Sequence, residues 1–140
     1  MIEPSGTRVF TIPGAPEKIE EMAANLLGLY VMLSLGEREV SALRLALDEA
    51  VTNAVKHGHQ GDRTKVISVV CEWRPDAIVL TVTDQGSGFN CRRLPNPTCR
   101  RNLMKECGRG LYIITTIMTE VAFNDKGNEI RMTLRRGDAC

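Results

Sequence analysis

Four short stretches of this chain carry side chains and backbone that could do chemistry. Glu49 and Asn53 stand four residues apart in a segment of helical periodicity, so both lie on one face, with Lys56 on the same stripe. That stripe begins with Ala42, Leu45 and Ala46, while Val40, Leu43, Leu47, Ala50 and Ala54 form a second one. The helix is therefore expected to be covered on both sides, with a polar notch in its last two turns. A covered carboxylate and carboxamide need partners, because an unpaired buried charge costs several kcal/mol. A solvated helix end is the plainer reading of the same three residues.

The second and third stretches are glycine turns, DQGSGF from Asp84 to Phe89 and GRGL from Gly108 to Leu111. Asp84 closes an apolar run and can accept a hydrogen bond from an exocyclic amine, while Gly86 and Gly88 let backbone approach a flat ligand. Gly108 and Gly110 open a helix whose free N–H groups form an anion site, with Arg109 beside it. Between the turns runs the fourth stretch, in which Arg92, Arg93, Arg100, Arg101 and Lys105 face the lone Glu106. A base-reading turn and a phosphate-reading turn joined by a basic segment suit a nucleotide with a lid that closes over it. Each turn by itself is also ordinary loop chemistry. The dinucleotide fingerprint GxGxxG and the Walker A loop are both missing.

The elements that must position these residues follow from periodicity and turn chemistry. A strand is expected at Arg8 to Ile12, closed by Pro13 and Gly14. A helix from Pro16 carries Ile19, Met22, Ala23, Leu26, Leu27, Tyr30 and Leu33, and Gly36 interrupts it. The second helix runs from about Glu37 to His57 and ends at Gly58, where His57 reads as a cap. Strands follow at Lys65 to Trp73 and Ala77 to Thr83 about a tight turn. After the long segment from Asp84 to Cys107 come a helix, Gly110 to about Thr119, and strands Val121 to Asn124 and Glu129 to Arg135. This order predicts a two-layer α/β sandwich, a mostly antiparallel sheet with helices on one face.

Composition narrows the partners. The chain has 140 residues, enough for one domain spanning 1–140, and 18 basic against 17 acidic residues leave a net charge of +1. A near-neutral total argues against a generic nucleic-acid or membrane binder. No run approaches the roughly 20 apolar residues of a membrane span, and the first residues lack a secretory layout, so the cytoplasm is the expected compartment. Five cysteines without a CxxC pair fit neither a disulfide scaffold nor a common zinc site. Cys91, Cys99 and Cys107 read as reduced thiols in the loop.

Taken together and in order, LDEAVTNAVKHG (47–58), VTDQGSGF (82–89), LPNPT (94–98) and GRGLYII (108–114) resemble the ATPase superfamily of gyrase, heat-shock chaperones, MutL and histidine kinases. Its nucleotide-binding fold, the Bergerat fold, is a helix layer on an antiparallel sheet. Within it the match is to stand-alone anti-sigma factor serine/threonine kinases of the RsbW type. The resemblance implies that Asn53 holds the Mg²⁺ bridging the phosphates and that Glu49 is the general base. It implies that Asp84 accepts from the adenine amine, with Gly86 and Gly88 lining the base pocket. Gly108, Arg109, Gly110 and Leu111 would meet ATP as a lid at about 90–107 closes, and Lys56 would add charge at the phosphates. Its implied partners are a sigma factor and an anti-anti-sigma protein with a STAS domain, with a second copy of the chain forming a homodimer. The alternative function is a nucleotide-gated binding module with vestigial catalysis. Where many relatives open the last strand with a Gly-Thr pair, this chain has Glu129 and Ile130.

Overall fold

The computed structural model describes residues 2–59, 64–86 and 109–137. Five strands form one sheet in the spatial order β1-β2-β3-β5-β4, and every neighbouring pair is antiparallel. They are β1 (Gly6–Pro13), β2 (Val66–Arg74), β3 (Ala77–Thr83), β4 (Glu120–Phe123) and β5 (Glu129–Arg135). Among the described residues three α-helices accompany them: α1 (Pro16–Met32), α2 (Glu37–Asn53) and α3 (Arg109–Ile117).

Alternation along the strands selects the core face. Ile67, Val69, Cys71 and Trp73 of β2 are buried, as are Ile78, Leu80 and Val82 of β3 and Ile130, Met132 and Leu134 of β5. These face the stripes of the helices, Met22, Leu26, Leu29 and Tyr30 from α1 and Leu43, Leu47, Ala50 and Val51 from α2. The expected two-layer sandwich is therefore present, with one aliphatic core between the layers. In the β2–β3 hairpin Arg74 pairs with Ala77, leaving Pro75 and Asp76 as a two-residue loop that pins the register. At this same end of β2, the Trp73 ring packs against Gly6, where a Cβ would collide with it, and the indole N–H donates to the Glu3 carbonyl at 3.0 Å.

Two helix ends differ from the sequence expectation. α1 stops at Met32, before Gly36, because Ser34 takes the left-handed conformation (φ 58°) usually given to glycine. The Leu35 N–H then reaches back to the Tyr30 carbonyl at 3.1 Å, which satisfies an end of the helix. The regular part of α2 ends at Asn53 rather than running to His57, and Ala54–Gly58 winds as a π-helical turn. Its closure is the five-residue bond from the His59 N–H to the Ala54 carbonyl, 2.9 Å. At its start α2 is capped by Glu39, whose carboxylate accepts from the Gly36 N–H at 2.9 Å.

Cys71 lies at the centre of this core, and burial pushes its thiol from 9.0 up to about 12, with Arg8 pulling the other way and Glu72 adding to the rise. Between those values the unfolded chain loses a proton that the folded chain keeps. The stabilisation is complete below about pH 9 and drains away as the pH rises toward 12. The urea midpoint of the wild type should therefore fall more steeply from pH 9 to 11 than that of Cys71→Ala. Parallel slopes would show that Cys71 ionises alike in both states.

Candidate functional site

The site is built where the last turns of α2 meet the first turn of α3. Glu49 is half-buried and Asn53 is 9% exposed, on the side of α2 that faces Gly110. A Cβ placed on Gly110 would sit 2.7 Å from Glu49 Oε2 and 3.4 Å from Asn53 Nδ2. A Cβ there would have to turn the end of the Glu49 side chain aside, so the α3 backbone lies close over the carboxylate and the carboxamide. Asn53 Nδ2 is buried and has no hydrogen-bond partner among the described residues. Such a group is costly in a finished core and is ordinary at a site that awaits a ligand.

Asp84 enters from the sheet. It follows the last residue of β3 and is 3% exposed. Its Oδ1 accepts from the Gly86 N–H at 2.8 Å, an Asx turn that fixes the start of the glycine segment. Asn53, Asp84 and Leu111 line one small cavity of about 10 Å³, with Ala50, Ala54, Val82 and Ile130 completing its walls. That is room for about one water, so a planar base needs these walls to part. An apolar groove of about 390 Å³ lies elsewhere, between α1 and α2, and none of Glu49, Asn53, Lys56 and Asp84 lines it.

The structure thus brings together Glu49, Asn53, Asp84, Gly110 and Leu111 from segments far apart in sequence, with Gly86 held to Asp84. Lys56 falls in the π-helical turn and its side chain is exposed. Leu45, expected to be covered, is 42% exposed, so cover on that face of α2 is carried by Ala42 and Ala46. Gly88, Gly108, the lid at 90–107 with Cys91, Cys99 and Cys107, and the side chains of His57 and Arg109 lie outside the described residues.

Sequence reasoning missed the residues that hold the base-reading turn. Asn128 meets Asp84 twice: its carbonyl accepts from the Asp84 N–H at 2.9 Å, and its Nδ2 donates to the Asp84 carbonyl at 2.8 Å. His59 is 3% exposed and its Nε2 accepts from the Gln85 N–H at 3.1 Å. Glu129, noted for its departure from the usual pair, accepts from the Thr83 hydroxyl at 2.9 Å, and the neighbouring Ile130 is a wall of the cavity. The segment DKGN announced a turn but nothing in it announced what the turn would grip.

A helix-covered antiparallel sheet with Glu and Asn under the glycine start of one helix and a buried Asp at a strand end is an arrangement that suits a nucleotide. The family model described as "Histidine kinase-like ATPase domain" matches residues 12–134, and the chain belongs to that family. It is similar to proteins named serine-protein kinase RsbW. That of Bacillus licheniformis is 30% identical over 128 residues, covering 86% of this chain and 80% of that protein. That of Bacillus subtilis (strain 168) is 28% identical over 87% of this chain and 81% of its own length. That of Staphylococcus aureus (strain MSSA476) is 26% identical over 87% and 82%.

Gly110→Ala should turn the Glu49 carboxylate aside, because the nearest atoms a Cβ meets are the ends of the Glu49 and Asn53 side chains. Stability should stay within about 1 kcal/mol of wild type, since alanine favours helix, while nucleotide affinity falls. Denaturant titration and calorimetry check both, and an unchanged nucleotide affinity would refute the close approach.

Proposed function

We propose that this chain is an ATP-dependent protein serine/threonine kinase that also acts as an anti-sigma factor. It phosphorylates an anti-anti-sigma partner with a STAS domain and alternately holds a sigma factor, as a cytoplasmic homodimer. The observation that carries the reading is the Glu49 carboxylate held beside the Asn53 carboxamide beneath Gly110. A protein that only bound nucleotide would have no use for that carboxylate. The similar proteins are serine-protein kinases by name, which supports the same reaction.

The residues present fit a Mg²⁺-bound triphosphate. Asn53 offers a neutral oxygen donor of the kind that hard cation takes, and its amide is buried with a nitrogen still unpartnered. Mg²⁺, when bound, neutralises charge on the phosphates. Asp84 accepts from the adenine amine at the base end, with Val82, Ile130 and Leu111 as the apolar walls around the ring. Glu49 takes the proton of the partner's hydroxyl as its oxygen bonds to the γ-phosphorus and the bond to the β,γ-bridging oxygen breaks, releasing ADP. Little more is asked of the protein than position and field. The first turn of α3 supplies backbone N–H groups toward the phosphates.

A second reading, a nucleotide-gated binding module with vestigial catalysis, draws on the last strand. Ile130 puts an aliphatic wall at the cavity and the Glu129 carboxylate is engaged by Thr83. Incubation with γ-labelled ATP and a candidate STAS-domain partner separates the two readings. Label on a serine or threonine of the partner supports the kinase, and nucleotide-dependent binding without label supports the module.

Glu49→Gln should lower transfer by about 10²-fold or more while leaving ATP affinity within about threefold. Transfer that survives the change would remove Glu49 from the reaction. Asp84→Asn should weaken ATP binding by about tenfold, since an amide nitrogen replaces one acceptor oxygen. Unchanged affinity by calorimetry would place the base elsewhere.

A further inference from the structure

We propose that Asn128 and His59 are positioning residues for base recognition: they grip the Asp84–Gly86 turn from opposite sides and so set the Asp84 carboxylate to read the exocyclic amine of a purine. The inference rests on the nucleotide reading above and extends it to residues that neither touch nor line the base cavity.

The grip on the β5 side is an ordered chain of amides. Asn124 Oδ1 accepts from three backbone N–H groups, those of Gly127 at 2.9 Å, Asn128 at 3.1 Å and Glu129 at 3.1 Å. An amide nitrogen cannot accept, so this oxygen is fixed in place and Asn124 Nδ2 must point the other way. There it donates to Asn128 Oδ1 at 2.7 Å. The Asn128 amide is oriented in turn, and its Nδ2 donates to the Asp84 carbonyl at 2.8 Å. With the backbone bond from the Asp84 N–H to the Asn128 carbonyl at 2.9 Å, both main-chain groups of Asp84 are held by one residue.

On the α2 side, His59 stands just beyond the π-helical turn, and its Nε2 accepts from the Gln85 N–H at 3.1 Å. An accepting Nε2 requires the neutral imidazole with its proton on Nδ1. Gln85 continues the tie outward, its Oε1 accepting from the Val66 N–H at the start of β2, 2.8 Å. The Gly86 N–H closes on Asp84 Oδ1 at 2.8 Å. Every backbone N–H from Asp84 to Gly86 therefore has an assigned acceptor, and two of the three acceptors lie on other elements. A single hydrogen bond to a carboxylate discriminates only if its acceptor is held to within a few tenths of an ångström, which a glycine-flanked turn cannot do by itself.

The test compares ATP with purine riboside triphosphate, which differs only in lacking the 6-amino group, by calorimetry. Wild type should prefer ATP by about tenfold. In Asn128→Ala and in His59→Leu that preference should fall below about threefold, with affinity for the purine riboside compound within about twofold of wild type. His59→Gln, which offers an amide oxygen to the Gln85 N–H, should recover the preference. Variants that keep the tenfold preference overturn the proposal, and so does an equal loss for both nucleotides, which would mark general damage to the site. A wild type without the preference overturns it too, and takes with it the role given to Asp84. Should an alanine or leucine variant fail to fold, Asn124→Asp keeps the accepting oxygen and removes only the donor to Asn128. It should reduce the preference at least threefold, and an unreduced preference overturns the proposal.

Discussion

The site depends on one close approach, the seating of Gly110 against Glu49 and Asn53. A carboxylate and a carboxamide on a covered helix face are expensive to bury, and a backbone without a Cβ comes near both without displacing them. The same contact brings Leu111 over Ala50 and Ala54, so that α2, α3 and the sheet share the small cavity in which Asn53 and Asp84 both appear. Spread α3 from α2 by the width of a methyl group and two features are lost together, the approach of Gly110 to Glu49 and Asn53 and the wall that Leu111 gives the cavity.

The sheet solves a second problem. Asp84 must be buried enough to make its hydrogen bond count, yet it sits where β3 gives way to a glycine turn. The fold answers by pairing β3 with β5, so that the turn before β5 arrives beside Asp84 and can hold its main chain. The π-helical turn after Asn53 does the same from the helix layer, delivering His59 to Gln85. Regular α-helix through that stretch would have presented a different side chain there.

Much of the fold was legible. The β2–β3 hairpin, the order of elements and the core stripe of α2 follow from alternation, from Pro75 and Asp76, and from helical spacing, since those signals are local. The pairing of Glu49 with Asn53 was legible for the same reason, and Asp84 and Gly110 stood out through the family's motif order. The α2 terminus was not, because a π-helical turn has no distinctive composition and is decided by where His59 finds its carbonyl. Ser34 ended α1 where glycine was the natural expectation, because the chain's route to α2 selected the conformation. Asn124, Asn128 and His59 were invisible for a different reason. Their partners lie across the sheet or across the layers, at separations that no periodicity reports.

A crystal structure with Mg²⁺ and a non-hydrolysable ATP analogue would show directly whether α2, the end of β3 and the start of α3 form a single nucleotide site. The adenine amine should lie about 3 Å from the Asp84 carboxylate, the Asn53 amide oxygen should be in the metal's shell, and Glu49 should face the γ-phosphate. Nucleotide bound with its base away from Asp84, or in the groove between α1 and α2, would contradict it.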